Sequence, residues 1–314
     1  MTDMNGTVRT RARTPDLGSF YVWNDTLCHN VRSGPCENEA RYGFVYSPGD
    51  IPDSFEQPLQ TRVVAYHGWT DSAHAVRAVF PENRTLLLVN PSDRPIGYWS
   101  NHDSEGGGRY FYESLESLDS AGEWYFDWEN NVPMYIPGAG EGDPNEMGFV
   151  LSRLTDVVVL ENAHHIDFDG LSFRHAAWAC DYEEGQVCDA QSTSWQSYAA
   201  VNIGLGSHTI NVLNSEVAAS GGPGIWASAN VSLVNIEGCS VHDLGAGGLR
   251  IGFDNTFGSA PDSGGEWSYA SPQPSDAMRK FRTEAPRVGA KYCHPPTSDD
   301  GAETGVSLPA HIQN

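Results

Sequence analysis

A spacing of 24 residues recurs in the middle of the 314-residue chain. Thr209–Trp226 reads TINVLNSEVAASGGPGIW, and Leu233–Arg250 reads LVNIEGCSVHDLGAGGLR. At that offset Asn211 falls on Asn235, Val212 on Ile236, Ser215 on Cys239 and Val217 on Val241. Gly221 falls on Gly245, Gly224 on Gly248 and Ile225 on Leu249. A third copy, HHIDFDGLSFRH at His164–His175, matches at a shift of 44, placing Ile166 on Ile210, Phe168 on Val212 and Phe173 on Val217. The extra 20 residues fall in a polar, cysteine-containing loop at 178–198. A fixed period constrains the fold more than any local propensity, because each unit must bury its apolar face against the next.

Within each copy apolar residues alternate with polar ones, the pattern of strands with one buried face. No proline interrupts the alternating cores. About 24 residues suffice for three short strands and three turns, one circuit of a parallel β-solenoid. Successive circuits stack at about 4.8 Å, so equivalent residues form vertical files, and Asn211 over Asn235 is placed for a side-chain amide ladder. The competing reading is a β-sandwich whose strands match by chance. The aligned glycines favour the solenoid, since sandwich hairpins need not keep turn glycines in register.

Residues 1–148 lack the period. They alternate strand signals with turns at Phe20–Trp23, Tyr42–Tyr46, Thr61–Tyr66, Arg109–Leu118 and Glu123–Asp127, with a hairpin closing at Pro81–Arg84. A small antiparallel β-barrel or sandwich is expected there, with Trp23, Tyr66, Trp69, Trp99, Trp124, Tyr125 and Trp128 mostly in its core. Residues 149–253 are expected to form about three turns of the parallel β-helix, carrying the loop insertion. Residues 254–314, rich in Ser, Pro, Gly and Asp, are expected to be a largely disordered tail. The fold class is therefore all-β.

There are 41 acidic against 18 basic side chains, a net charge of −23. That balance excludes nucleic acid and anionic membranes, both of which need a basic footprint. No apolar run reaches the roughly 18 residues of a membrane span. The N-terminus, MTDMNGTVRTRAR, lacks the apolar middle of a signal peptide. This fits either a cytosolic protein or a leader missing from this chain. The cysteines favour the second. Cys28 and Cys36, and Cys180 and Cys188, form two local pairs eight residues apart, which read as loop-pinning disulfides in a secreted protein. Sequons at Asn5, Asn24, Asn83 and Asn230 add to that reading. Cys239 is expected as a reduced core or turn residue. No CxxC pair supports zinc, and a monomer is expected.

Several segments carry a resemblance: RARTPDLGSFYVW, GFVYSPGDI, VVAYHGWTDSAH, NPSDRPIGYW, RYFYESLESLDSAGEWYFD, DFDGLSFRHAAW and VHDLGAGGLRIG. Together they resemble the right-handed parallel β-helix proteins of bacteria and marine algae that carry a small β-domain near the N-terminus. Glycoside hydrolase families one hundred and twenty and one hundred and forty-one share that plan. The resemblance spans roughly residues 9–252. It implies a pectin-lyase-like right-handed β-helix and a carbohydrate partner. Such proteins usually begin with an earlier strand-rich stretch and continue for several turns after the DLGAGG coil, so the chain reads as cut short at both ends and no complete catalytic pair carries over.

The residues nominate a site. The insertion holds Trp178, Tyr182, Trp195 and Tyr198 beside Asp181, Glu183, Glu184 and Asp189. Rings that stack on apolar sugar faces, next to acids that bind hydroxyls, suit carbohydrate. The alternative is a disulfide-pinned lid whose aromatics pack inward. Asp243 is the first catalytic candidate, at a turn beside Gly245–Gly248. His175 lies two circuits below it in the same file, about 9.6 Å away by strand spacing, with Ala219 leaving a notch between. Asp189 or Asp181 would supply the second carboxyl that glycoside hydrolysis requires. Against this stands the bland reading, which the bare sequence favours: Asp243 as an Asx turn, and His175 and His242 as structural histidines. Glu216 reads as a solvated acid. Arg250 falls on Trp226, which suits a cation–π pair or a grip on a uronate carboxylate. Trp178, Tyr182, Trp195, Trp226, Arg250 and His242 make up the expected substrate-binding set. No cofactor is expected, although Asp167, Asp169 and the loop acids could hold Ca²⁺.

The repeat contains no lysine and only Arg174 and Arg250 as bases, favouring hydrolysis over a lyase mechanism. The leading expectation is a glycoside hydrolase working by paired carboxylates on a polysaccharide. The alternative is a non-catalytic glycan-binding or structural β-helix module, or an inactive truncated relative.

Overall fold

A computed structural model describes residues 1–4, 6–27, 35–68, 70–97, 108–180, 182, 188–190, 198–252 and 288–291. Its regular elements are strands, apart from a helix at Pro35–Glu39 and a 3-10 turn at Pro58–Gln60, so the chain is all-β. No helix among the described residues is long and apolar enough to cross a membrane. The chain divides into two compact units, Met1–Val150 with Cys180–Trp195, and Leu151–Ala179 with Gln196–Asn314.

The first unit is built on Asp71–Phe80. A register shift between Val76 and Ala78 bends this ten-residue strand. Its first half then pairs antiparallel with Arg62–Tyr66 and its second with Thr85–Leu88. Among the described residues the strand order is open: the end strands Tyr21–Val22 and Asp25–Thr26 do not pair with each other, and no barrel closes. Trp23, Phe44, Leu86, Leu88, Ile96 and Tyr110 fill the core. Trp128 departs from the expectation for the aromatics, standing 53% exposed beyond the strand Glu123–Asp127. Trp69 and Trp99 lie outside the described residues. The insertion was expected to belong to the repeat. Residues 180–195 instead group with the first unit, where Asp189–Ala190 pairs antiparallel with Asp71–Ser72 and satisfies part of that strand's edge.

The second unit consists of three parallel sheets that the chain visits in rotation. Sheet one holds Val158–Leu160, Val201–Ile203, Ile225–Ala227 and Leu249–Ile251. Sheet two holds His164–Asp169, His208–Leu213, Ser232–Glu237 and Val288–Lys291. Sheet three holds Ser172–Arg174, Glu216–Ser220 and Ser240–Leu244. Ile166, Ile210 and Val234 are successive register partners, as are Phe168, Val212 and Ile236, and Phe173, Val217 and Val241. These alternating residues form the core with Val201, Ile203 and Ile225. Leu249 and Ile251 continue the files of Ile225 and Ala227 and are 38% and 46% exposed.

Three details add to the sequence reading. Val288–Lys291 lies inside the segment expected to be disordered, yet it pairs in parallel with the edge strand Ser232–Glu237, whose backbone groups would otherwise lack partners; the rest of 253–314 lies outside the described residues. Asn211 and Asn235 are register partners, but the Asn211 amide donates to Asp167 at 2.5 Å, because a carboxylate is the stronger acceptor. The left-handed corners are not formed by the aligned Gly221 and Gly245. They recur at His165, Thr209 and Leu233, and at His175, Ala219 and Asp243, with φ between 50° and 66°.

Candidate functional site

Sheet three turns two outward files to solvent. One is Ser172, Glu216 and Ser240; the other is Arg174, Ala218 and His242. Alternation dictates this, since Phe173, Val217 and Val241 point inward. Ala218 sits between Arg174 and His242 in its file, about 4.8 Å from each strand neighbour. Its methyl leaves room for the longer side chains to close over it, and Ala218 is buried at 1% although it is on the outer face.

Those side chains form a chain of charge. Arg174 donates to both oxygens of Glu216, Nε to Oε2 and an Nη to Oε1, each at 2.7 Å. Ser172 Oγ donates to the same carboxylate at 2.5 Å. The Arg174 bonds, with help from Ser172 and His242, hold the Glu216 carboxyl down to about 2 despite partial burial. His242 Nε2 meets Glu216 Oε1 at 3.2 Å, and its Nδ1 meets Asp243 Oδ2 at 2.7 Å. Ionised carboxylates only accept, so the imidazolium donates to both while a neutral ring donates to one. The Asp243 side chain is 66% exposed, against 23% for His242 and 27% for Glu216. Asp243 has φ 51°, so the corner throws its carboxylate back toward His242, its immediate neighbour, instead of to the opposite face.

The other expected residues scatter. His175 occupies the same corner file two strands away, and burial lowers its pKa. Trp226 is 1% exposed, with its indole N–H on the Gly252 carbonyl at 2.9 Å. Arg250 lies over the ring at 4.2 Å, the expected cation–π pair, and the covered ring is not open for sugar stacking. Trp178 is half-buried, its backbone and Cβ packed close against Gly221. Tyr182 belongs to the first unit, beside Arg62, where burial pushes its hydroxyl pKa up. Asp189 is described only by its backbone, and Asp181 and Trp195 lie outside the described residues. Cys180 and Cys188 are joined; the Cys28–Cys36 pairing falls outside them too. Cys239 is free and buried.

Arg174 and Glu216 were missed as site residues, yet the signal was present. The offset of 44 puts Ser172 on Glu216 and Arg174 on Ala218, and the offset of 24 puts Ala218 under His242. A small residue flanked in its file by a cation and a histidine, with an acid two positions along, marks the cluster. For Ca²⁺, Asp167 and Asp169 each accept an amide, from Asn211 and Asn214. Among the described residues no group of three or more His, Cys, Asp or Glu side chains is placed to hold a metal ion.

No family model matches the chain, and no curated protein matches it. Among solved structures it is similar to a chain titled "Glycoside hydrolase", with a TM-score of 0.60 at 17% identity over 79% of this chain. The match spans 47% of that chain. At this identity the likeness concerns the fold.

Proposed function

We propose that the second unit is a right-handed parallel β-helix and that the outer face of its third sheet acts on carbohydrate, with Asp243 and His242 as an acid–base dyad. The observation that carries this reading is the His242 imidazole held between Asp243, which projects into solvent, and Glu216, which is anchored by Arg174. Asp243, taking a proton from the His242 imidazolium at Nδ1 and passing it to a glycosidic oxygen, would serve as the general acid, and the neutral ring would then take the proton back. Glu216 stays ionised and fixes the ring. The likeness to a glycoside hydrolase fold agrees with a sugar substrate. The Cys180–Cys188 disulfide supports an extracellular setting.

A second reading has its own observation. Glycoside hydrolysis uses two carboxyl groups. Here Arg174 occupies Glu216, which leaves Asp243 as the one open carboxylate of the cluster. A β-helix that binds glycan without cleaving it needs no pair. Assaying the full chain on a panel of neutral and uronate glycans separates the two. Turnover that is lost in both Asp243→Asn and His242→Gln supports the dyad. Saturable binding without turnover supports the module. Neither binding nor turnover would remove carbohydrate from consideration.

A further inference from the structure

The third sheet bends at one corner that repeats in each circuit with the same backbone shape. His175, Ala219 and Asp243 have φ of 66°, 50° and 51°. Each directly follows a member of the outward file Arg174, Ala218 and His242, whose residues are successive register partners. Like backbone conformation sends like Cα–Cβ bonds the same way. His175 and Asp243 therefore leave the sheet on one side, with the Ala219 methyl between them. His175 and Ala219 are half-buried and Asp243 is exposed, so the notch over Ala219 reaches solvent.

The spacing across that notch selects a chemistry. His175 and Asp243 stand two strand steps apart, about 9.6 Å. Glycosidases that retain configuration hold their two groups about 5–5.5 Å apart, whereas inverting ones keep about 6.5–9.5 Å and fit a water between. The corner spacing lies at the inverting end and is too wide for a covalent intermediate. In an inverting reaction the second group takes a proton from water, which a neutral imidazole does as well as a carboxylate. Burial lowers the His175 pKa, with Arg174 adding to the shift, so the ring is neutral at pH ~7.

Building on the carbohydrate reading of this face, we propose that His175 is the general base of an inverting hydrolysis, opposite Asp243 as the acid. His175 draws a proton from a water in the notch as the water oxygen bonds to the anomeric carbon. The bond to the glycosidic oxygen breaks while that oxygen takes the Asp243 proton. One water is consumed, and a hemiacetal of inverted configuration and an alcohol are released. Solvent then removes the proton from His175 and restores the one Asp243 gave up. The test is ¹H NMR of the first anomer that the full chain releases from the neutral and uronate glycan panel, alongside the kinetics of His175→Asn. Asparagine tolerates the left-handed corner but is no base. The first product should be the inverted anomer, and His175→Asn should lower kcat at least about a hundredfold with KM and melting temperature unchanged. A retained anomer overturns the proposal, and the wild-type chain alone reveals it. Wild-type turnover in His175→Asn overturns it too, and in both cases the Asp243–His242 dyad stands. No turnover of any glycan by the wild-type chain overturns both.

Discussion

Arg174 holds Glu216 across one strand step through two parallel 2.7 Å bonds, and that grip sets the electrostatics of the outer face of the third sheet. Arg174→Met removes both bonds while keeping the aliphatic cover over Ala218. The Glu216 pKa should then climb from about 2 toward the ordinary value near ~4.3. A carboxyl depressed in the folded state adds stability above its unfolded pKa and loses it as pH falls through the folded one. The variant should therefore lose about 1 kcal/mol at neutral pH, a figure kept small by partial exposure of both partners, and lose little more on acidification to pH ~3. Carboxyl NMR titration and urea unfolding at the two pH values check both halves. A Glu216 titration unmoved by the substitution would refute the assignment.

The vertical files were legible because a period is a long-range statement: Ile166, Ile210 and Val234 had to share one environment, and they do. What was hidden depends on side-chain reach. Glu216 was outward as expected, but its partners sit in neighbouring files, and alternation alone does not say which ones touch. Trp226 lay on an outward position yet is covered, because Arg250 folds over it. The insertion pairs its Asp189–Ala190 with a strand more than a hundred residues earlier, a contact that no periodicity encodes. Its loop carboxylates therefore cannot be assigned to the Asp243 cluster from spacing.

The first unit contains a buried relay whose proton positions follow from one carbonyl. The Asn90 carbonyl only accepts, so His74 Nδ1 carries the hydrogen at 2.8 Å. The neutral ring then accepts at Nε2 from Ser72 Oγ at 2.7 Å, and Ser72 accepts from His67 Nε2 at 2.7 Å. Burial depresses His67 to about 4 and His74 to about 3. Below the unfolded value near ~6.5 the unfolded chain binds protons that the folded rings refuse. Stability is thus full above that pH and falls as acid increases toward the folded values. The slope is up to about 1.4 kcal/mol per pH unit for each ring. His67→Gln keeps a donor for Ser72 without titrating and should roughly halve the slope between pH 6 and 5. Denaturant unfolding followed by the fluorescence of buried Trp23 measures it. Stability flat from pH 7.5 to 5 would rule out neutral burial.

The corners offer substitutions of opposite sign. Gly170, Asn214 and Gly238 share one left-handed file, and His165, Thr209 and Leu233 another. A Cβ added at Gly170 meets nothing within 4 Å, so Gly170→Ala isolates the backbone term. It should cost about 1 kcal/mol. Leu233 is 53% exposed at φ 54°, where a bulky side chain is strained. Leu233→Asn should gain roughly 0.5 kcal/mol, because asparagine tolerates this region. Melting temperatures that move in the same direction for both would mean that the corners are not left-handed.

Gly221 and Gly245 serve a different purpose from the corner residues, since neither has a positive φ. Successive circuits touch backbone to backbone there: Gly245 N–H donates to Ser220 O at 2.8 Å, and Gly221 N–H to Ala176 O at 2.8 Å. A Cβ placed on Gly245 would lie 2.2 Å from the Gly221 carbonyl oxygen and 2.9 Å from its carbon. Both atoms belong to hydrogen-bonded backbone and cannot swing aside as a side chain would. At Gly248 the nearest neighbour is a Val241 methyl at 3.4 Å, which can yield. Gly245→Ala should therefore destabilise the second unit by about 2–3 kcal/mol through overpacking. Gly248→Ala should change stability by less than about 1 kcal/mol. Urea midpoints for the two variants, read at equal m-values, provide the comparison. Equal losses would show that the circuits do not press on one another at Gly221, and with that the stacking of Gly245 onto the preceding turn would fail.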